Sequence, residues 1–190
     1  MNHKQNKMKK ISTEILTRMK TGQSYRIDKD LLSLQKRCNR LLILLQLISS
    51  TKIRNYLFKR LFKSFGDGNI IKSGFKCNYG FNIHVGSNCY FNYNLTILDS
   101  FEVYIGNNVF IAPNVVIAPV THPKEKEKRR DLIGGPIIIE DDVWIGANAV
   151  ILPNCRIKKG TVVGAGAIIK GDTEEDSVYV GAPAIIKEKL

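Results

Sequence analysis

Residues 139–169 read IEDDVWIGANAVILPNCRIKKGTVVGAGAII, and a step of six runs through them unbroken. Ile139, Ile145, Ile151, Ile157, Val163 and Ile169 are all β-branched aliphatics. Upstream, Ile105, Ile111 and Ile117 keep the step, as do Tyr79, Val85, Phe91 and Ile97 before them. Four places after these positions stand small or apolar residues: Ile83, Cys89, Leu95, Val109, Val115, Val143, Ala149, Cys155, Thr161 and Ala167. A period of six fits neither a helix nor an alternating strand. It fits a triangular coil in which each six-residue step makes one flat side and one corner. The aliphatic residue points to the shared axis, the small residue fits near the corner, and stacked coils bury a continuous apolar column. Gly106, Asn107, Asn108 and Asn148 suit corners that need left-handed backbone angles. The expected fold is mainly β, a parallel β-helix over residues 66–190.

The register breaks twice in this reading. From Ile97 to Ile105 the step is eight, so two residues bulge near Asp99 and Ser100. From Ile117 to Ile139 it is 22, and a loop must leave the coil there. That loop, THPKEKEKRRDLIGGP at 121–136, begins with Thr121 and His122. A polar loop breaking a regular scaffold is where function is usually carried.

The first 65 residues lack the repeat. Leu31, Leu34, Cys38, Leu41, Leu45 and Ile48 recur at helical spacing, with Asp28 or Asp30 placed to start the helix. A second stripe, Ile53, Leu57, Leu61 and Phe65, predicts a helix over 52–65 that Gly66-Asp67-Gly68 ends. Residues 1–65 thus read as a small basic α-helical extension.

The net charge of +12 suggests nucleic acid until its distribution is read. Residues 1–65 hold 16 Lys or Arg against 3 acids, and residues 66–190 hold 13 against 14. Neither part has zinc-finger spacing or an aromatic RNA-binding motif, so no nucleic-acid partner is expected. Cys38, Cys77, Cys89 and Cys155 form no C-x-x-C pair. Reduced thiols and the lack of a secretory signal point to the cytoplasm. The apolar run Leu41–Ile48 is far too short to span a membrane.

Several strings appear in one order: MKTGQSY at 19–25, CNYGFNIHVGSNCYFNYNLTILD from Cys77 to Asp99, IAPNVVI, THP at 121–123, DDVWIGANAVILPN from Asp141 to Asn154, and GAPA at 181–184. Together they resemble the galactoside and maltose O-acetyltransferase group of hexapeptide-repeat acyltransferases, which includes nodulation-type enzymes. The resemblance covers nearly the whole chain. It implies a left-handed β-helix, a homotrimer with acetyl-CoA in clefts between adjacent β-helices, and direct acetyl transfer to a sugar hydroxyl without an acyl-enzyme. No metal is implied.

The resemblance places the catalytic histidine at His122. A sugar hydroxyl is a poor nucleophile, and a neutral imidazole within reach can take its proton as attack begins. The developing oxyanion needs a donor, which the resemblance places at the backbone N–H near Ala147. Asn92 and Asn78 match acceptor contacts, Asp99 either touches acceptor or supports the bulge, and Trp144 matches a tryptophan beside the site. Ala165, Lys170 and Lys187 fall where the resemblance puts CoA contacts. Asp131 is a candidate to orient His122.

There are departures. Ser100 stands where some galactoside enzymes carry a second acid, Lys170-Gly171 where Thr-Lys is frequent, and Ile185 where a basic residue often follows the closing motif. His84 reads as a surface residue and His3 as part of a disordered tail, so the three histidines of a zinc site are not expected to meet. Cys89 and Cys155 read as core filling. A non-catalytic β-helix scaffold is the alternative, opposed by the intact THP and V-W-I-G strings. The helix over 52–65 has a further alternative, a weak contact with an anionic membrane surface. Against it stands the plainer reading that the stripe packs on its own core.

Overall fold

The structure, a computed structural model, describes residues 12–190. His3 lies outside the described residues. The repeat builds a parallel β-helix with three faces. The first sheet stacks Ser64–Phe65, Ile83–Val85, Val103–Ile105, Ile137–Ile139 and Arg156–Ile157. The second stacks Ile70–Ile71, Tyr90–Phe91, Phe110–Ile111, Trp144–Ile145, Val162–Val163 and Ser177–Gly181. The third stacks Lys76–Cys77, Thr96–Ile97, Val116–Ile117, Val150–Ile151 and Ile168–Ile169. An antiparallel strand, Ala184–Lys189, folds back on Ser177–Gly181 and closes the solenoid.

The repeat positions do what their chemistry demands. Ile97, Ile117, Ile145, Ile151, Ile157 and Val163 have no solvent exposure. The small residues four places on, including Cys89, Cys155 and Thr161, are buried beside them. One turn in each side requires a positive φ, and Asn, Asp or Gly supplies it: Asn108, Asn114, Asp142, Asn148, Asn154 and Gly160 all have φ between 54° and 68°. These residues accept the left-handed region at low cost. Gly106 and Asn107 do not adopt it. Gly106 is needed for space, since a Cβ there would lie 2.3 Å from Asp141 Oδ1.

The register of the first coil corrects the expectation. Cys77, not Tyr79, is the inward residue, paired with Ile97. The eight-residue step therefore occurs twice, Cys77 to Val85 and Ile97 to Ile105, always at the corner from the third sheet to the first. The 22-residue step falls at this same corner. It is the third member of a series, the usual bulge enlarged by a hairpin. Tyr79 is buried outside the column, in a separate cluster with Met19, Tyr25, Leu31, Phe101 and Leu132.

Three helices precede the coil: α1 (Thr13–Thr21), α2 (Lys29–Leu47) and α3 (Thr51–Leu61). Asp28 caps α2 by accepting from Leu31 N at 2.8 Å. Gly22, at φ 72°, ends α1. The predicted helix over 52–65 stops at Leu61, because Phe62 turns extended and Lys63 N donates to Ile83 O at 2.9 Å. Ser64–Phe65 then becomes the first strand of the first sheet. Phe58, Phe62, Phe65 and Phe75 pack ring on ring at 5.3–5.9 Å and plug the open end of the column. Phe58, Leu61, Cys38, Leu42 and Leu45 share one core with the inward residues of the coils. The apolar side of 52–65 is thus mostly used internally.

Candidate active site

The corner from the third sheet to the first carries Asn78, Asp99 and His122 on successive coils. Asp99 is fully buried. Its Oδ1 accepts from Asn78 N at 2.8 Å and Tyr79 N at 2.9 Å, and its Oδ2 from Gly80 N at 2.7 Å. Burial pushes this carboxyl up to about 6, against the lowering effect of the N–H donors. With no exposed atom and every oxygen engaged, Asp99 holds the bulge of the coil above. Of its two expected readings, this geometry serves support of the bulge. Asn78 stays partly open and donates from Nδ2 to Ser100 Oγ at 3.2 Å.

The enlarged bulge starts as a hairpin, Val120–Thr121 against Ile133–Gly134. Gly134, at φ 157°, fits because a Cβ there would fall 2.1 Å from Pro119 O. His122 sits just beyond the hairpin, exposed, with Nδ1 3.1 Å from the backbone O of Asp131. A carbonyl only accepts, so this contact requires Nδ1–H and leaves the lone pair on Nε2. Asp131 contacts His122 through its carbonyl, and its carboxylate instead pairs with Arg26 Nε.

Residues 24–26 form a brace that sequence reading did not assign. Tyr25 exchanges both backbone bonds with Leu132, at 3.1 and 2.8 Å. Tyr25 Oη donates to Ser100 O at 2.8 Å. One tyrosine therefore ties the excursion loop to the bulge beside Asp99. The only signal in the sequence was the MKTGQSY string, which says nothing of a contact across more than a hundred residues.

The other expected residues lie elsewhere. Asn92, Ala147 and Ala165 occupy the corner from the second sheet to the third. There the N–H of Tyr93 is taken by Asn92 Oδ1 at 2.8 Å, and the equivalent Pro113 has none. The Ala147 and Ala165 N–H groups make no bond within the described residues. Gly146 brings these two coils close, a Cβ there falling 2.6 Å from Ala165 N. Trp144 is 55% exposed on the outer face of the second sheet, in register with Phe110, which is 54% exposed. Tyr90 stacks below Phe110 at 6.4 Å. Lys170 is exposed at the His122 corner of the last coil, and Lys187 on the closing strand.

His84 lies on the first sheet, away from His122. It stacks on Tyr104 at 4.3 Å and lies 3.9 Å from Glu102. Burial lowers its pKa. It lines a shallow groove of about 560 Å³ with Tyr104, Glu140 and Arg156 that contains none of the expected site residues. Among the described residues no three His, Cys, Asp or Glu side chains are grouped to hold a metal ion.

The chain is similar to known proteins both in sequence and in fold. A bacterial transferase hexapeptide model of six repeats matches residues 136–171. A galactoside O-acetyltransferase of Lactococcus lactis is 34% identical over 157 residues, covering 78% of this chain and 76% of the relative. The crystal structure of a maltose O-acetyltransferase from Clostridium difficile superposes with a TM-score of 0.88 at 33% identity, covering 91% of this chain and 95% of that one. A galactoside acetyltransferase in complex with coenzyme A superposes at 0.86 with 31% identity, over 92% of this chain and 90% of that one.

Proposed function

Because this chain belongs to the galactoside and maltose O-acetyltransferase group of hexapeptide-repeat acyltransferases, and is on that ground an acetyl-CoA-dependent sugar O-acetyltransferase, we propose that His122 is its general base, working in a site that two copies complete. The 3.1 Å contact between His122 Nδ1 and the backbone O of Asp131 is the observation that carries the proposal, because in a neutral ring it leaves Nε2 as the base. Nε2 takes the proton of the sugar hydroxyl as its oxygen attacks the thioester carbonyl carbon. The resulting oxyanion accepts from a free N–H at the alanine corner, Ala147 being the candidate. The intermediate collapses, the C–S bond breaks, and the imidazolium returns its proton to the departing CoA sulfur.

Within one chain the third sheet separates His122 and Asn78 from Asn92, Ala147 and Ala165. A second copy brings the two corners together, and a ladder of half-buried Tyr90 with exposed Phe110 and Trp144 provides an apolar surface for that contact. Head-to-tail contacts of this kind close into a ring, and the family resemblance implies three copies, a homotrimer. Asn78 and Asn92 are then acceptor contacts from different copies, Trp144 borders the cleft, and Ala165, Lys170 and Lys187 lie along the CoA side.

Release of free thiol from acetyl-CoA tests this with a panel of galactosides, maltosides and glycan precursors. Release should require acceptor. His122→Ala should lower kcat by about 10²–10⁴-fold with acetyl-CoA binding retained. Near-normal turnover by that variant removes His122 from the mechanism.

A further inference from the structure

Between Asp30 and Asp67 the chain has no acidic residue, yet it carries Lys36, Arg37, Arg40, Lys52, Arg54, Lys59, Arg60 and Lys63. Several of these are used internally, Arg60 by donating to Tyr56 Oη at 3.3 Å. Arg54 turns inward to the carbonyls of Ile48, Ile71 and Lys72 at 2.9–3.4 Å, and Lys59 pairs with Asp67 at 2.6 Å. Lys36, Arg37 and Arg40 are exposed along the outer stripe of α2. The same stripe continues at helical spacing into Ile43, Leu44 and Leu47, which are 60%, 51% and 79% exposed. Across the turn, Lys52 and Ile53 are exposed at the start of α3, Ile53 at 52%. The inner stripe of α2, Leu31, Cys38, Leu42 and Leu45, already fills the core. These outer aliphatics are therefore surplus to folding, and leaving them in water is costly.

We propose that the outer face of α2 and the α2–α3 turn docks on an anionic lipid surface. Ile43, Leu44, Leu47 and Ile53 enter the acyl boundary, and Lys36, Arg37, Arg40 and Lys52 meet the headgroups. An apolar tip ringed by cations and free of acids has the composition of an interfacial anchor. A symmetric contact between two copies of this patch would set cation against cation. Residues 66–190, with 13 basic residues against 14 acids, have an excess of only one acid to receive it. Of the 52–65 stripe expected from sequence this surface takes only the start, at Ile53, while Leu57, Leu61 and Phe65 pack on the core. It lies at the acceptor end of the solenoid, where Gln35 of α2 donates to Tyr79 Oη at 3.5 Å, next to Asn78. Resting on the acetyl-transfer reading, docking would present that corner to sugars carried on lipid.

The test uses the full chain and two vesicle populations, phosphatidylcholine alone and phosphatidylcholine with about one-third phosphatidylglycerol. The protein should co-sediment with the anionic vesicles only, and leave them as salt is raised. Joint Lys36→Gln, Arg37→Gln and Arg40→Gln substitutions should lower the bound fraction about tenfold or more, and so should Ile43→Ser with Leu47→Ser. Both variants should keep their thiol release with a soluble acceptor. Protein remaining in the supernatant at low salt, or equal binding to neutral vesicles, overturns the proposal. So does a change of oligomer mass in the Ile43/Leu47 variant without vesicle binding by the parent, which would assign the patch to a subunit contact. Absence of thiol release in the parent would count against the catalytic reading and leave the sedimentation result standing.

Discussion

At the scale of single residues, Asp99 shows how a side chain beside the proposed catalytic centre can serve only the backbone. Its three N–H partners belong to consecutive residues of the preceding corner, so it fixes where Asn78 points. Its carboxyl titrates near 6 in the folded chain against an ordinary value of 3.8. The folded state thus binds this proton more tightly than the unfolded one. Its contribution to stability is fully present below the ordinary carboxylate range and is lost as pH rises through about 6. The unfolding free energy of the protein, less that of Asp99→Asn, should fall between those limits and level off above them, as followed by denaturant melts across pH. A difference that rises over that window would mean the N–H donors outweigh burial. His122 is the contrasting case, exposed and held by one carbonyl, with Nε2 open to a substrate.

At the scale of elements, the coils were legible because their period is unlike that of any other structure, and each inward position was named by one residue type. The corner was misread where that rule lapsed. Cys77 occupies an inward place usually held by an aliphatic, and Tyr79, two residues on, imitates the step while packing outside. Tyr90, Phe110 and Trp144 each precede an inward residue, so the pattern already placed three aromatics on an outer face. The brace from Tyr25 left no such trace, since a bridge between distant loops has no period. The hairpin at its other end is the element most sensitive to a small change. Gly134→Ala would press a methyl group into Pro119 O and shift the strand that positions His122. It should lower kcat about tenfold or more, in line with the cost of a small displacement of a catalytic group, and affect acetyl-CoA binding little. Unchanged kcat, read from steady-state kinetics, would mean that the loop repositions His122 without the hairpin.

At the scale of the whole molecule, the two halves of the proposed site lie on different corners of one prism, and no loop among the described residues bridges them. Bending the coil to bring them together would break its stacked ladders, whereas association of copies leaves every ladder intact. Association therefore makes a prediction that no single-chain site can match. His122→Ala removes one corner's chemistry. Ala147→Pro removes the other corner's N–H without demanding a new backbone, since Pro113 already occupies the equivalent place one coil earlier, in the register that pairs Phe110 with Trp144. Each variant alone should be nearly inactive. When the two are unfolded together and reassembled, a cleft formed by His122 of one chain and Ala147 of its neighbour is intact in about a quarter of random pairings. Thiol release should recover to about that fraction of the parent's rate, and light scattering should give the mass of three chains. If both groups act within one chain, every site in the mixture stays broken and no activity returns.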